Sequence, residues 1–148
     1  MLRRDWRRGS LNNCSIVPLF DCYMEKKYLK LNDIDAYKTA FVLSNYVWNI
    51  VIKWDYFNKT TMGRQYVDAV DSSSANIAEG FGRYSKKDKI KFYRISYGST
   101  LESLDWTQKA KVRNLLKAEE YQYILEQLKK LQIEIHQLIK YTDQVLTI

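Results

Sequence analysis

Asn76 and Glu79 lie three residues apart, and Glu102 follows on a later segment. On helices that spacing puts an amide and a carboxylate on one face. Carboxylates converging from facing helices are the raw material of a di-metal centre, which needs several of them plus two Glu-x-x-His pairs. The chain has one histidine, the distant His136. Asn76 and Glu79 are therefore expected to be buried, and to fix helix register by bonding Ser99, backbone amides or each other. Cys14 and Cys22 are the only cysteines, too few for a disulfide framework or a Cys-based zinc site. Gly80-Phe81-Gly82 lacks the lysine and Ser/Thr of a phosphate loop, and no strand precedes it. It reads as a helix–helix turn. No nucleophile–base pair is evident, so no catalytic residue, metal or cofactor is expected and the chain does not read as an enzyme.

Cations offer a different chemistry. Arg83, Lys86, Lys87, Lys89, Lys91 and Arg94 crowd one short stretch, with Tyr84 and Tyr93 interleaved. Lysine and arginine neutralise phosphates and release counterions, while aromatic rings stack on unpaired bases. The bland alternative is a solvated helix face. Lysines at a helix start run against the helix dipole, which favours a use beyond local stability. Arg83, Lys86, Lys87, Lys89 and Arg94 are the nominated phosphate contacts. Lys109, Lys111, Arg113 and Lys117 form a second group about 30 Å away by helical rise.

Helices must position these residues. The only proline is Pro18, and from Met24 onward the only glycines are Gly63, Gly80, Gly82 and Gly98. Long helices are therefore unobstructed. The first is expected to start at a cap on Asn32 or Asp33 and to end around Phe57–Lys59. Its core stripe reads Tyr37, Phe41, Ser44, Trp48, Val51 and Trp54 or Asp55. The second runs from an N-cap at Thr60 or Thr61 to Glu79, with Met62, Tyr66, Ala69 or Val70, Ser73 and Ile77 inward. Gly80 follows as its left-handed stop. The third is capped by Ser85, with Asp88 reaching back, and ends near Asn114. It shows two apolar faces, Phe92-Ile95-Ser99-Glu102 and Ile90-Tyr93-Tyr97-Leu101-Leu104. Two such faces imply an intrachain core and a subunit interface, with Gly98 permitting close approach. The fourth starts at Lys117–Glu120 and carries a seam of Tyr121, Ile124 or Leu125, Leu128, Leu131, Ile135, Leu138, Thr142 and Val145. Four long helices joined by short turns predict an all-α, antiparallel up-down-up-down four-helix bundle.

The chain has 148 residues, enough for one ordinary domain. Its formal net charge is +7, from 24 Lys+Arg against 17 Asp+Glu, which favours an acidic partner. Residues 1–30 lack a helical period and read as a disordered or non-native N-terminal extension, with Met24 as the natural initiator. The bundle occupies 31–148. Arg3, Arg4, Arg7 and Arg8 make an RNA-binding arm the alternative for this segment. A secretory signal fits poorly because Leu11 is followed by Asn12-Asn13. No apolar run reaches the roughly 18–20 residues of a membrane span, and a cytoplasmic location is the expectation.

The ordered blocks Gly63-Arg64-Gln65, Ala69-Val70-Asp71-Ser72, Asn76-Ile77-Ala78-Glu79-Gly80-Phe81-Gly82-Arg83, and Phe92, Ile95, Gly98-Ser99 and Glu102 resemble one family. It is the four-helix-bundle family encoded in 23S rRNA intervening sequences, sometimes labelled a ribosomal protein. The accessory variability protein of diversity-generating retroelements is a relative. The resemblance spans about Leu31 to Tyr141. Its structural motif falls here on Asn76, Glu79, Gly80, Gly82, Gly98, Ser99 and Glu102. The resemblance implies a bacterial, cytoplasmic, non-enzymatic homo-oligomer, a pentameric ring above all, and contact with structured RNA or other nucleic acid. It equally allows a scaffold ring for a protein partner such as a reverse transcriptase. Asp68 and Tyr97 stand where the family commonly has arginine, which weakens phosphate binding by the shared face of the second and third helices.

Overall fold

With no proline after Pro18, nothing in the backbone chemistry interrupts long helices, and four of them form. In the computed structural model, which describes residues 29–146, they are α1 (Asp35–Val51), α2 (Arg64–Gly82), α3 (Lys86–Val112) and α4 (Ala118–Val145). No strand occurs among the described residues. The extension expected over 1–30 lies outside them except for its last two residues.

The helix ends follow local cap chemistry, in places different from that expected. Asp33 closes a single 3-10 turn, Leu31–Asp33, by accepting the Lys30 N–H at 2.8 Å. α1 then starts at Asp35 with no side-chain cap. It stops at Val51, short of Phe57. Asp55 caps a fresh turn, Tyr56–Asn58, its carboxylate accepting the Asn58 N–H at 3.1 Å. That turn continues through a π-helical turn, Lys59–Gly63, into α2. Thr60 and Thr61 are therefore interior rather than caps. Their hydroxyls donate to the carbonyls of Tyr56 and Phe57, at 2.8 and 2.7 Å.

α2 continues past Gly80 to Gly82, and no described glycine has a positive φ. Gly80 is needed for space instead. A Cβ there would lie 2.6 Å from Cε1 of Tyr93 and 3.1 Å from Cβ of Phe92. Ser85 caps α3 as expected, its hydroxyl accepting the Asp88 N–H at 3.1 Å. Asp88 answers by accepting the Ser85 hydroxyl at 2.8 Å rather than a backbone amide. Asn114, at φ 57°, is the left-handed residue after α3. Glu120 then accepts the Lys117 N–H at 2.9 Å to open α4.

Neighbouring helices run in opposite senses. Val51 meets Gly63 while Ser44 reaches Asp71. Tyr66 meets Thr107 and Gly80 meets Tyr93. Lys86 meets Asp143, and Tyr97 meets His136. Tyr46 on α1 packs against Tyr123, and Ala36 lies beside Glu134. Each helix thus touches two antiparallel neighbours in an up-down-up-down ring.

The buried face of α1 is Ala36, Thr39, Ala40, Leu43, Ser44, Val47, Ile50 and Val51, so Ser44 and Val51 of the expected stripe are buried. The expected stripe is displaced: Phe41 and Trp48 are 53% and 52% exposed. Smaller aliphatic groups let α1 sit closer to its neighbours, leaving the large rings on the flank. α3 also buries a face that hydropathy does not mark. It consists of Tyr93, Ser96, Thr100, Ser103, Thr107 and Ala110, between the two expected faces. Buried hydroxyls need partners. Ser96 donates to the Ser73 carbonyl across the helix pair at 2.7 Å. Thr100 and Thr107 donate to carbonyls one turn back, at 2.9 and 2.7 Å. The Tyr66 hydroxyl lies 2.7 Å from that of Thr107. Burial pushes the Tyr66 phenol well above its ordinary pKa and that of Tyr93 up to about 12.

The seam of α4 follows that expected except at its end, where Val145 is 52% exposed. Ile124, Leu128, Leu131 and Ile135 are fully buried, and Thr142 nearly so.

Candidate nucleic-acid interface

Because Ser85 fixes the first turn of α3, the next two turns present Lys86, Lys87, Asp88, Ile90, Lys91, Arg94 and Ile95 along one open groove. Asp143 of α4 closes its far side. Of the five nominated cations, three line this groove: Lys86, Lys87 and Arg94. Lys86 is committed in part, donating to the Asp143 carbonyl at 3.0 Å and facing its carboxylate at 3.5 Å. Lys87 and Arg94 are exposed and make no ion pair among the described residues. Lys91, which belongs to the same basic run but was not nominated, stands equally open beside them. The signal for it was the four-then-three spacing of 87, 91 and 94, which keeps three cations on one helix face over about 10 Å of rise.

The other two nominated cations turn elsewhere. Arg83 pairs with the Glu79 carboxylate and sits 4.6 Å from the centroid of the Phe92 ring. Lys89 donates to the Phe81 carbonyl at 2.7 Å, and burial holds its pKa below the ordinary lysine value. Both stabilise the α2–α3 corner. The interleaved tyrosines also part company. Tyr84 is 84% exposed and free to stack, whereas Tyr93 is core at 2%.

The second basic group is largely tied to its neighbours. Lys109 pairs with Asp105 and lies 4.4 Å from the Trp106 ring centroid. Lys111 lies over Tyr121 at 5.5 Å, and Arg113 donates to Sδ of Met62 at 3.1 Å.

Asn76, Glu79 and Glu102 do not converge. The Asn76 amide, half-buried, donates to the Ser72 carbonyl at 2.7 Å. Glu79 is exposed and held by Arg83. Glu102 is exposed and accepts the Trp106 indole N–H at 3.3 Å. Ser99 donates to the Ile95 carbonyl at 3.2 Å, so the expected buried amide–carboxylate–Ser99 network is absent. Added Cβ atoms at Gly82 and Gly98 would meet nothing from another segment within 4 Å among the described residues. No cluster of three metal-ligating side chains occurs among the described residues. No described helix is long and apolar enough to cross a membrane.

A solved structure from Bacteroides thetaiotaomicron VPI-5482 is described as a protein with unknown function from the S23 ribosomal protein family. It is similar to this chain with a TM-score of 0.64 at 18% identity, covering 71% of this chain and 98% of that one. At that identity the likeness speaks for the fold alone. No curated protein matches the sequence. The family model of the 23S rRNA-intervening sequence protein matches residues 32–137, and the chain belongs to that family.

Proposed function

We propose that this chain is a non-enzymatic, self-associating cytoplasmic bundle that binds structured RNA through Lys86, Lys87, Lys91 and Arg94. The observation that carries the reading is the gathering of Lys87, Lys91 and Arg94 on one exposed face near the start of α3, with no ion pair of their own among the described residues although Asp88 and Asp143 line the same groove. The helix dipole opposes a cation in the first turn, where Lys87 stands, so local stability does not account for that lysine. Phosphates would offset both the dipole and the mutual repulsion. Tyr84 lies at the same corner and adds a ring for an unpaired base. The family's name makes rRNA the natural first probe.

Self-association has its own support. Phe41, Trp48 and Ile52 leave an apolar flank on α1, each more than two-fifths exposed. An aromatic stripe of this kind marks a protein contact, and a pentameric ring is the assembly the family resemblance implies. The same stripe is what favours the second reading, a ring that presents a surface to a protein partner such as a reverse transcriptase.

The test is fluorescence anisotropy with a structured rRNA hairpin across a salt series. Log affinity should fall linearly with log salt, by roughly one unit of slope per phosphate contact. Absence of binding at low salt refutes the RNA reading and leaves the protein-scaffold reading.

A further inference from the structure

The outward stripe of α3 reads nearly as a mirror about Gly98. Three positions before it stands Ile95, and three after stands Leu101, each 44% exposed. Four before is Arg94 and four after is Glu102. Seven before is Lys91 and seven after is Asp105. All four charged residues are exposed. Each step away from Gly98 thus pairs apolar with apolar, then cation with anion, then cation with anion again.

Two copies of a helix laid antiparallel, related by a two-fold axis through one residue, bring each position opposite its mirror position in the partner. Such an axis through Gly98 sets Ile95 against the partner's Leu101, Arg94 against the partner's Glu102, and Lys91 against the partner's Asp105. Two-fold symmetry makes every one of these contacts twice. Gly98 fits the centre of such a contact. It interrupts an exposed helix interior, where glycine is a poorer helix former than alanine, and among the described residues nothing from another segment approaches within 4 Å of where a Cβ would stand. Without that Cβ, a second helix can come close at the crossing point.

We infer that this face of α3 is a two-fold docking surface for a second copy of this chain, centred on Gly98 and keyed by the Arg94–Glu102 and Lys91–Asp105 pairs. The contact has natural limits. Eleven positions out, Lys87 would face the partner's Lys109, a like-charged pair that opposes the contact, and the Asp105 carboxylate offered to the partner's Lys91 is shared with Lys109 of its own chain. The matched stripe therefore ends at Lys91 and Asp105, about 21 Å apart by helical rise. A surface of that length lies at the small end of specific interfaces, so the pairing is reversible and concentration-dependent. It is separate from the α1 flank that carries Phe41 and Trp48, and a two-fold contact doubles whatever assembly that flank makes. The inference goes beyond the RNA reading but shares two cations with it: RNA and the second copy compete for Lys91 and Arg94.

Sedimentation velocity of the full chain over a concentration series tests this. The wild type should show an assembly that loses half its mass on dilution. Glu102→Arg and Arg94→Glu should each weaken the pairing by roughly tenfold or more, since each disrupts two symmetric contacts. The double variant Arg94→Glu/Glu102→Arg should restore it to within roughly threefold of wild type, by re-forming the pair with its charges exchanged. Gly98→Leu should abolish it while leaving helical circular dichroism and thermal stability intact. Indifference of the mass to both single charge reversals, or failure of the double variant to recover, overturns the proposal. The RNA reading is judged separately, because Glu102→Arg removes the pairing without touching any nominated phosphate contact.

Discussion

Replacing Gly80 with alanine should destabilise the bundle even though alanine is the better helix former by about 1 kcal/mol. Gly80 has helical rather than left-handed geometry, so backbone strain plays no part and the outcome turns on space. The new methyl would stand 2.6 Å from Cε1 and 2.9 Å from Cδ1 of Tyr93, well inside ordinary carbon–carbon contact. The ring cannot swing aside, because Tyr93 is only 2% exposed and packs with Ile77, Leu131 and Ile135. α2 and α3 must therefore separate or Tyr93 must leave its rotamer. Overpacking of this kind costs about 1–3 kcal/mol, and with the ring this firmly held the upper half of that range applies, about 2–3 kcal/mol, so the net loss after the propensity gain is about 1–2 kcal/mol. Gly82 supplies the internal control, being in the same helix with open space around it. Gly82→Ala should be neutral or stabilising by up to about 0.5 kcal/mol. Urea unfolding should separate the two midpoints by about 1 M for a slope near 2 kcal/mol/M. Equal stability of the two variants would refute the close-approach account of Gly80.

Lys87→Ala combined with Arg94→Ala should weaken RNA binding and flatten the log–log salt slope by about two, whereas Lys89→Met should leave the slope unchanged; anisotropy titrations distinguish these. Tyr66→Phe removes the hydroxyl that meets Thr107 and should cost about 1 kcal/mol in urea unfolding. Alkaline unfolding should be steep. Burial raises the phenol pKa of both Tyr66 and Tyr93 above the unfolded value near 10, so the unfolded chain releases protons first. Stability is intact below about pH 10 and falls as pH rises toward and past 12. Phenolate absorbance at alkaline pH should show these two rings titrating only with loss of helical signal.

What could be read from the sequence was what local chemistry decides. Ser85 and Asn114 declared the start and end of α3 because a hydroxyl cap and a left-handed asparagine act through neighbours one turn away. The α4 seam was legible because Ile124, Leu128, Leu131 and Ile135 repeat at three- and four-residue steps, with lysines and glutamates filling much of the opposite face. α1 was harder. Phe41-Trp48 and Leu43-Val47 are both apolar stripes, and only the neighbouring helices choose between them. The buried face of α3 was invisible to hydropathy because Ser96, Thr100, Ser103 and Thr107 satisfy their hydroxyls on carbonyls and enter the core as small spacers. Gly80 was misassigned because a glycine needed for a turn and one needed for close packing look alike in sequence. At the candidate interface the cluster of cations was legible, but their availability was not. Lys86 is claimed by Asp143, far along the chain, and Lys89 by the carbonyl of Phe81.

The short links between helices bear on how the chain reaches this state. Residues 52–55, 83–85 and 113–117 are all that separate each helical segment from the next. Three of the four lateral contacts therefore join segments adjacent in the chain, and closing such small loops costs little entropy. Only the contact of α1 with α4 spans most of the domain. A topology this local belongs with the fast folders, in the microsecond-to-millisecond range. Its helical hairpins are free to form independently and early, leaving the α1–α4 seam as the step that must await the rest. That seam is then where partial opening of the native bundle begins, while the hydroxyl-bonded pairing of α2 with α3 stays closed.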